Sequence, residues 1–254
     1  MLAVRTLIPD DSPAGPPVVL IHGAANSASV WTYWQATLAE HGHASHAIDL
    51  RGHGESSAID LSHTSMRNYA DDVLRLVRDL PSCVLMGWSM GGLVAMMAAE
   101  RASNVRGCIG LAPSTPAKTR DETVVLRTGE FDAREYGITS DDPDDQPAMP
   151  DLDREERAVA LSSLCRESRY ARDERAAGVV VAALPCPLLI VTGTADAQWP
   201  RSRYDGLHLP VEHLSVEGAS HWGLVLNRRT LASLAPSVIR WLNSNEGRSD
   251  PSGT

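Results

Sequence analysis

The stretch of this sequence with the clearest chemical potential is "GWSMG", in which Ser89 lies between Gly87 and Gly91. The apolar run "CVLM" before it predicts a buried strand, and the Ala- and Met-rich run after it predicts a helix. A serine on a sharp strand-to-helix turn needs small residues two positions before and after it, and such a turn exposes the hydroxyl as a nucleophile. The alternative is that Ser89 only caps the helix. The strand and helix around it favour the nucleophile.

A serine hydroxyl is a weak nucleophile unless a base takes its proton, and nine histidines are available for that role. His221 is the strongest candidate, because it follows a predicted strand in a loop of small residues. The base needs a carboxylate to orient it, and Asp196 ends the apolar strand "LLIVTGTAD". Asp205 and the acidic run 141–145 are rivals, but no strand leads into Asp205 and the run is typical of a solvated loop. The sequence therefore predicts a triad of Ser89, His221 and Asp196.

The elements that would position these residues are short apolar runs that alternate with helical patterns. The predicted strands are "PPVVLIHG", "HASHAIDL", "CVLMGWS", "VRGCIGLAP", "PLLIVTGTAD" and "VEHLSVEG". An apolar stripe at helical spacing runs from Met66 to Leu80, and a second runs from Leu231 to Leu242. This alternation predicts an α/β protein with a mostly parallel central sheet and helices on both faces.

The alternation of strands and helices breaks between residues 114 and 184. This segment includes the acidic, Pro-rich run "TSDDPDDQPAMPDLDREE", while 121–135 and 153–183 are predicted to be helical. We therefore predict a core formed by 1–113 and 185–243, with 114–184 inserted as a helical cap. The polar tail 244–254 is predicted to be disordered.

Five segments, in the order of the chain, resemble the α/β-hydrolase superfamily, and within it the compact bacterial serine esterases and lysophospholipase-like members. They are "VVLIHGAANSASVW", "AIDLRGHGES", "VLMGWSMGG", "LLIVTGTAD" and "VEGASHW". The order Ser, Asp, His is also that of this superfamily. The resemblance implies the α/β-hydrolase fold and an oxyanion hole formed by the backbone N–H groups of Ala24 and Met90. It also implies that His22 and His53 support loops rather than react.

The identity of the nucleophile narrows the expected activity. Dehalogenases and epoxide hydrolases of this superfamily use aspartate at this position and dienelactone-type members use cysteine, so Ser89 implies acyl transfer through a covalent ester. We expect a carboxylesterase of class EC 3.1.1 that acts on small or medium neutral esters. A lactonase, a thioesterase or a carbon–carbon bond hydrolase on the same triad remains an alternative. So does a ligand receptor on a hydrolase scaffold.

Three tryptophans adjoin the predicted triad, and Trp88, Trp199 and Trp222 are therefore candidates for the substrate-binding wall. The acidic cap offers no cationic clamp, which disfavours a substrate with a free carboxylate or phosphate. This expectation would reverse if any of four arginines lined the pocket: Arg51, Arg166, Arg169 and Arg172.

The composition of the 254 residues excludes several other functions. A net charge of −9 disfavours nucleic acid as a partner, because phosphate binding needs a basic face. No C-x-x-C pair is present, so neither a metal nor a redox cofactor is expected, and Cys83 and Cys108 are predicted to be buried thiols. The N-terminus lacks an apolar signal core and no run is long enough to span a membrane, which predicts a cytoplasmic enzyme. The expected partner is a small-molecule ester substrate, and the sequence is compatible with a homo-oligomer.

Overall fold

The computed structural model describes residues 1–245, and a seven-stranded sheet forms its centre. The order across this sheet is β1-β3-β2-β4-β5-β8-β9, and every pairing is parallel except that of β1 with β3. The strands, in chain order, are β1 (Val4–Leu7), β2 (Val18–Ile21), β3 (Ser45–Ile48), β4 (Cys83–Trp88), β5 (Val105–Leu111), β6 (Glu130–Phe131), β7 (Glu167–Ser168), β8 (Leu188–Gly193) and β9 (Glu212–Val216).

Helices cover both faces of the sheet. They are α1 (Thr32–Glu40), α2 (Met66–Arg78), α3 (Met90–Ala99), α4 (Arg154–Ser162), α5 (Arg169–Ala177), α6 (Gly223–Leu226) and α7 (Arg228–Asn245). One apolar core contains residues of α1, α4, α6 and α7, and the other contains residues of α2, α3 and α5. The predicted α/β-hydrolase fold is confirmed.

The sequence of β2 shows why this sheet is buried on both sides. Val18 and Leu20 pack into one core, whereas Val19 and Ile21 pack into the other. Successive side chains of a strand point to opposite faces, so a strand covered on both faces is apolar at every position. The carboxyl ends of the parallel strands meet at one edge of the sheet, where the loops that carry chemistry lie.

The segment between β5 and β8 holds α4, α5 and the antiparallel pair of β6 with β7, none of which joins the main sheet. We retain the division into a core and a cap at 114–184 as a proposal. The prediction of a helix over 121–135 is wrong, because this stretch is mostly irregular and contains β6. Thr123, Val124 and Val125 are β-branched and disfavour a helix, and Gly129 adopts a φ of 108°.

The last helix extends to Asn245, so Ser244 and Asn245 of the predicted tail are helical, and the rest of that tail lies outside the described residues. Both Cys83 and Cys108 are buried as free thiols. Within residues 1–245, no helix combines the length and hydropathy that crossing a membrane requires.

Candidate active site

Ser89 stands between β4 and α3 in a strained backbone conformation, with φ at 54° and ψ at −121°. The chain has almost no space there: a Cβ on Gly87 would lie 2.1 Å from the carbonyl oxygen of Gly91, and a Cβ on Gly91 would lie 2.2 Å from that of Ile21. Both glycines are therefore required by close backbone approach. A non-glycine residue at positive φ costs free energy and persists only where the surroundings impose it, which is characteristic of functional sites.

His221 and Asp196 form a direct pair: Nδ1 of His221 lies 2.7 Å from Oδ2 of Asp196. The other oxygen of Asp196 accepts the backbone N–H groups of Gln198 and Trp199, at 3.0 and 2.9 Å. Burial by itself raises the pKa of Asp196, but the hydrogen bond and charge of His221 and the two backbone N–H groups outweigh this and lower it. A carboxylate held in this way fixes both the orientation and the tautomer of the imidazole.

Ser89 and His221 both line one pocket, whose empty volume is about 660 Å³ including its open mouth. No hydrogen bond joins their side chains. Catalytic hydrogen bonds are often long or poorly aligned until the Michaelis complex forms, so this geometry is compatible with a nucleophile and its base.

Ala24 and Met90, the predicted oxyanion donors, lie on the loop after β2 and at the first turn of α3. Ala24 lines the pocket with Ser89. Within the described residues, neither backbone N–H has a hydrogen-bond partner. Met90 is fully buried and, unlike Ala24, is not among the residues that line the pocket. The N-terminus of α3 adds a partial positive charge beside Ser89.

Comparison with known proteins decides the family. Residues 18–233 match the model of the alpha/beta hydrolase family. The chain belongs to this family.

Named relatives of this hydrolase include two pimeloyl-[acyl-carrier protein] methyl ester esterases. The one from Xanthomonas campestris pv. campestris is 28% identical over 82% of this chain and 88% of its own length. The one from Nitrosospira multiformis is 33% identical, over 42% of each chain. The esterase structure from Thermogutta terrifontis has a TM-score of 0.67 at 20% identity, covering 95% of this chain and 94% of its own, which shows the shared fold. The expected class, a hydrolase of the carboxylic ester type, agrees with these relatives.

In this hydrolase, side chains whose roles the sequence did not indicate hold the loop that carries Ala24. Asn26 donates to the carbonyl oxygen of Ala24 at 2.8 Å, and its own side-chain oxygen accepts from Ser163 of the cap. His22 is buried, and its Nε2 accepts the backbone N–H of Leu50 at 3.1 Å. Burial, with the nearby His53, lowers the pKa of His22 to about 4, so this imidazole is neutral and supports the loop.

Asp151 of the cap braces the loop that carries His221. It accepts the backbone N–H of Ser220 at 2.9 Å and also bonds the Ser220 hydroxyl. A Cβ on Gly223 would meet the same carboxylate at 1.9 Å. The sequence does not indicate this role, because Asp151 lies in an acidic, Pro-rich run that is typical of a solvated loop.

The three predicted substrate-binding tryptophans, Trp88, Trp199 and Trp222, all line the pocket. Trp88 also has a second contact, since its Nε1 donates to the backbone oxygen of His221 at 3.1 Å. Its ring lies 5.1 Å from the ring of His221 and 4.8 Å from that of Trp222. Trp88 therefore positions the histidine as well as lining the pocket.

The four arginines singled out in the sequence do not line the pocket. The guanidinium of Arg51 forms two hydrogen bonds with Asp72, at 2.9 and 2.6 Å, and its backbone N–H forms a third at 3.0 Å. The three cap arginines pair with acidic side chains of the cap: Arg166 with Glu130 and Asp132, and Arg169 and Arg172 with Glu135. A different arginine, Arg175 of α5, lines the pocket beside Tyr136. Nothing in the spacing of the α5 arginines distinguished it.

His53 is a structural group, as the resemblance implied, and its partner comes from the cap. Its Nε2 lies 3.4 Å from Oε2 of Glu167, which is fully buried. Glu167 also accepts from the hydroxyl of Tyr69 at 2.5 Å and from the backbone N–H of Ala25 at 3.1 Å. This carboxylate thus joins the cap to the loop after β2 that carries Ala24 and Ala25.

The Glu167 pair predicts a specific dependence of stability on pH. Burial alone would raise the pKa of Glu167, but the charge of nearby His53 and the hydrogen bond from Tyr69 lower it to about 2 from an ordinary value of 4.5. A lowered carboxyl pKa stabilises the fold fully above the unfolded value, and this contribution is lost as the pH falls through the folded value. We expect Glu167→Gln to cost at most about 3 kcal/mol at neutral pH and progressively less toward pH 2.

Urea unfolding at a series of pH values measures this effect. The control is Glu55→Gln, since Glu55 is exposed and its side chain makes no contact among the described residues. This variant should follow the wild-type curve throughout. A difference between wild type and Glu167→Gln that stays constant from neutral to strongly acidic pH would contradict the assignment.

Proposed function

We propose that this hydrolase cleaves carboxylic esters through an acyl-enzyme on Ser89, with His221 as the base and Asp196 as its orienting partner. The observation that carries the proposal is the His221–Asp196 hydrogen bond of 2.7 Å beside a pocket lined by a strained, glycine-flanked Ser89. The named esterases among the relatives support the same reaction.

In the first half of the reaction, Oγ of Ser89 attacks the ester carbonyl while Nε2 of His221 takes its proton. The carbonyl oxygen becomes an oxyanion, which accepts hydrogen bonds from the N–H groups of Ala24 and Met90. Each such donor lowers the barrier by about 3 kcal/mol. His221 then gives its proton to the leaving alcohol as the carbon–oxygen bond breaks, and the acyl group stays on Ser89.

In the second half, a water molecule attacks the acyl-enzyme, and His221 takes one of its protons. Collapse of this second tetrahedral intermediate releases the carboxylic acid and returns the proton to Ser89. The negative charge of Asp196 stabilises the imidazolium that forms in each half.

The size and lining of the pocket support small or medium esters. The figure of about 660 Å³ includes the open mouth, so the enclosed part of the pocket is smaller, which favours short acyl chains. Trp88, Trp199 and Trp222 provide apolar surface for an acyl chain or an alcohol group.

A panel of p-nitrophenyl esters of graded acyl length, assayed beside methyl esters, lactones and thioesters, tests the proposal. We expect the highest kcat/KM on short and medium acyl esters, because a longer chain exceeds the volume of the pocket. Higher kcat/KM on the lactones or thioesters would reassign the substrate class. Negligible turnover of the whole panel would favour a receptor on a hydrolase scaffold.

A further inference from the structure

Arg175 is a charged side chain in the pocket that the proposed reaction does not use. It lies on α5 of the cap. Among the described residues that line the pocket with Ser89 and His221, it alone carries a permanent charge. Its Nη2 donates to the hydroxyl of Tyr136 at 3.0 Å. Its Nε is buried and has no hydrogen-bond partner within the described residues. A buried N–H without a partner is rare in folded proteins and calls for an explanation.

The neighbouring arginines of the cap show how unusual this is. Arg127 holds Asp173 with two hydrogen bonds, at 2.9 and 2.6 Å, and Arg169 and Arg172 share Glu135. Arg175 has no carboxylate oxygen within 4.0 Å among the described residues. Of the three arginines of α5, Arg169 and Arg172 thus pair with a carboxylate, whereas Arg175, which lines the pocket, has no ion pair among the described residues.

Glu167 lies near Arg175, but its oxygens already accept hydrogen bonds from other donors. Its oxygens accept from the N–H groups of Ala25 and Ser168 and from Tyr69, and His53 completes the set. Burial opposes the charge of Arg175, but Tyr136 and Glu167 outweigh it and raise the pKa of Arg175, so the guanidinium stays charged. Its charge thus remains available to a ligand in the pocket.

We propose that Arg175 forms an anion subsite within the pocket, and that the substrate carries a carboxylate in addition to the ester that is cleaved. This inference rests on the proposed esterase function. It replaces the expectation of a neutral substrate, which was drawn from the acidic composition of the cap. A guanidinium can donate two parallel hydrogen bonds to one carboxylate. The single positive charge of Arg175 would also balance the single negative charge of that carboxylate. A phosphate group, with more charge, would require further cations that the described lining does not contain.

Half-esters test this subsite in the wild-type enzyme. The probes are monoethyl esters of straight-chain dicarboxylic acids from succinic to suberic acid, each compared with its diethyl ester. At the chain length that spans the distance from Ser89 to Arg175, we expect kcat/KM to be at least about tenfold higher for the half-ester. A preference for the diester at every length would overturn the proposal. If the wild type instead preferred the ethyl ester of phosphonoacetic acid to every half-ester, the group bound by the subsite would be phosphate-like, and the proposal of a carboxylate would be overturned.

Variants of Arg175 supply the second part of the test. We expect Arg175→Gln to lower kcat/KM for the best half-ester by about 10- to 100-fold, mainly through KM, and to lower kcat/KM for the diester by a clearly smaller factor. Arg175→Lys should keep part of the preference for the half-ester, because lysine keeps the positive charge but lacks the paired N–H donors of the guanidinium. The matched control is Arg169→Gln on the same helix, outside the pocket, which should keep the preference. Equal losses on both esters in Arg175→Gln would overturn the subsite.

Calorimetry with the free dicarboxylates separates this proposal from the proposed reaction. Binding to the wild type that weakens about tenfold or more in Arg175→Gln would support the subsite even if no ester were hydrolysed. Absence of dicarboxylate binding to a wild-type enzyme that hydrolyses neutral esters would overturn the subsite alone.

Discussion

Replacing Ser89 by alanine is expected to lower kcat on p-nitrophenyl butyrate by about 10⁵- to 10⁶-fold, because no other group can form the acyl-enzyme. The fold should persist, since the hydroxyl of Ser89 bonds to no other described residue. The turn between β4 and α3 that holds Ser89 depends on Gly87 and Gly91, which the substitution leaves in place. The thermal unfolding midpoint should therefore stay close to that of the wild type. Turnover retained in a folded variant would contradict the proposed nucleophile.

Labelling with a fluorophosphonate checks the same serine chemically. Mass spectrometry should place the adduct on the peptide that contains Ser89, and the Ser89→Ala variant should not be labelled. Ser233→Ala is the control, because Ser233 lies on the exposed side of α7 and its hydroxyl bonds only the carbonyl oxygen of Thr230. This variant should keep full activity and full labelling.

Replacing Asp196 by asparagine is expected to lower kcat by about 10⁴-fold. The reason lies in the hydrogen bonds of this carboxylate. The N–H groups of Gln198 and Trp199 point at Oδ1, so an asparagine would place its oxygen there and its NH₂ group toward His221. The Nδ1 atom of His221 would then have to accept, which moves the proton to Nε2. An imidazole in that tautomer cannot take the proton of Ser89.

The control for Asp196→Asn is Asp205→Asn, the nearest rival carboxylate in the sequence. Asp205 is exposed and pairs with Arg201 at 2.9 Å, away from the pocket. Its asparagine variant should keep wild-type kcat within about twofold, because exposed ion pairs contribute little. Steady-state assays of both variants on one ester measure these changes in kcat. Equal losses of kcat in the two variants would contradict the assignment of Asp196.

The sequence by itself predicted those parts of the candidate site that depend on short-range constraints. The glycines around Ser89 are needed because two backbone segments nearly touch it, and that requirement is visible as a local pattern. The buried strands were equally visible, since a sheet covered on both faces needs apolar residues at every position. Asp196 and His221 could be proposed because each follows a strand, and the carboxyl ends of parallel strands share one edge of the sheet.

Only the tertiary structure decided which residues of the cap face the pocket. Arg169, Arg172 and Arg175 follow one another along α5 at equal spacing, yet two of them pair with Glu135 and the third lines the pocket. In the same way, Asp151 and Glu167 bond the loops of the core across long stretches of the chain. The physical reason is that the partner of a charged side chain depends on how separate segments pack together. Local sequence patterns carry information about backbone shape and burial, but not about the partners that distant segments supply.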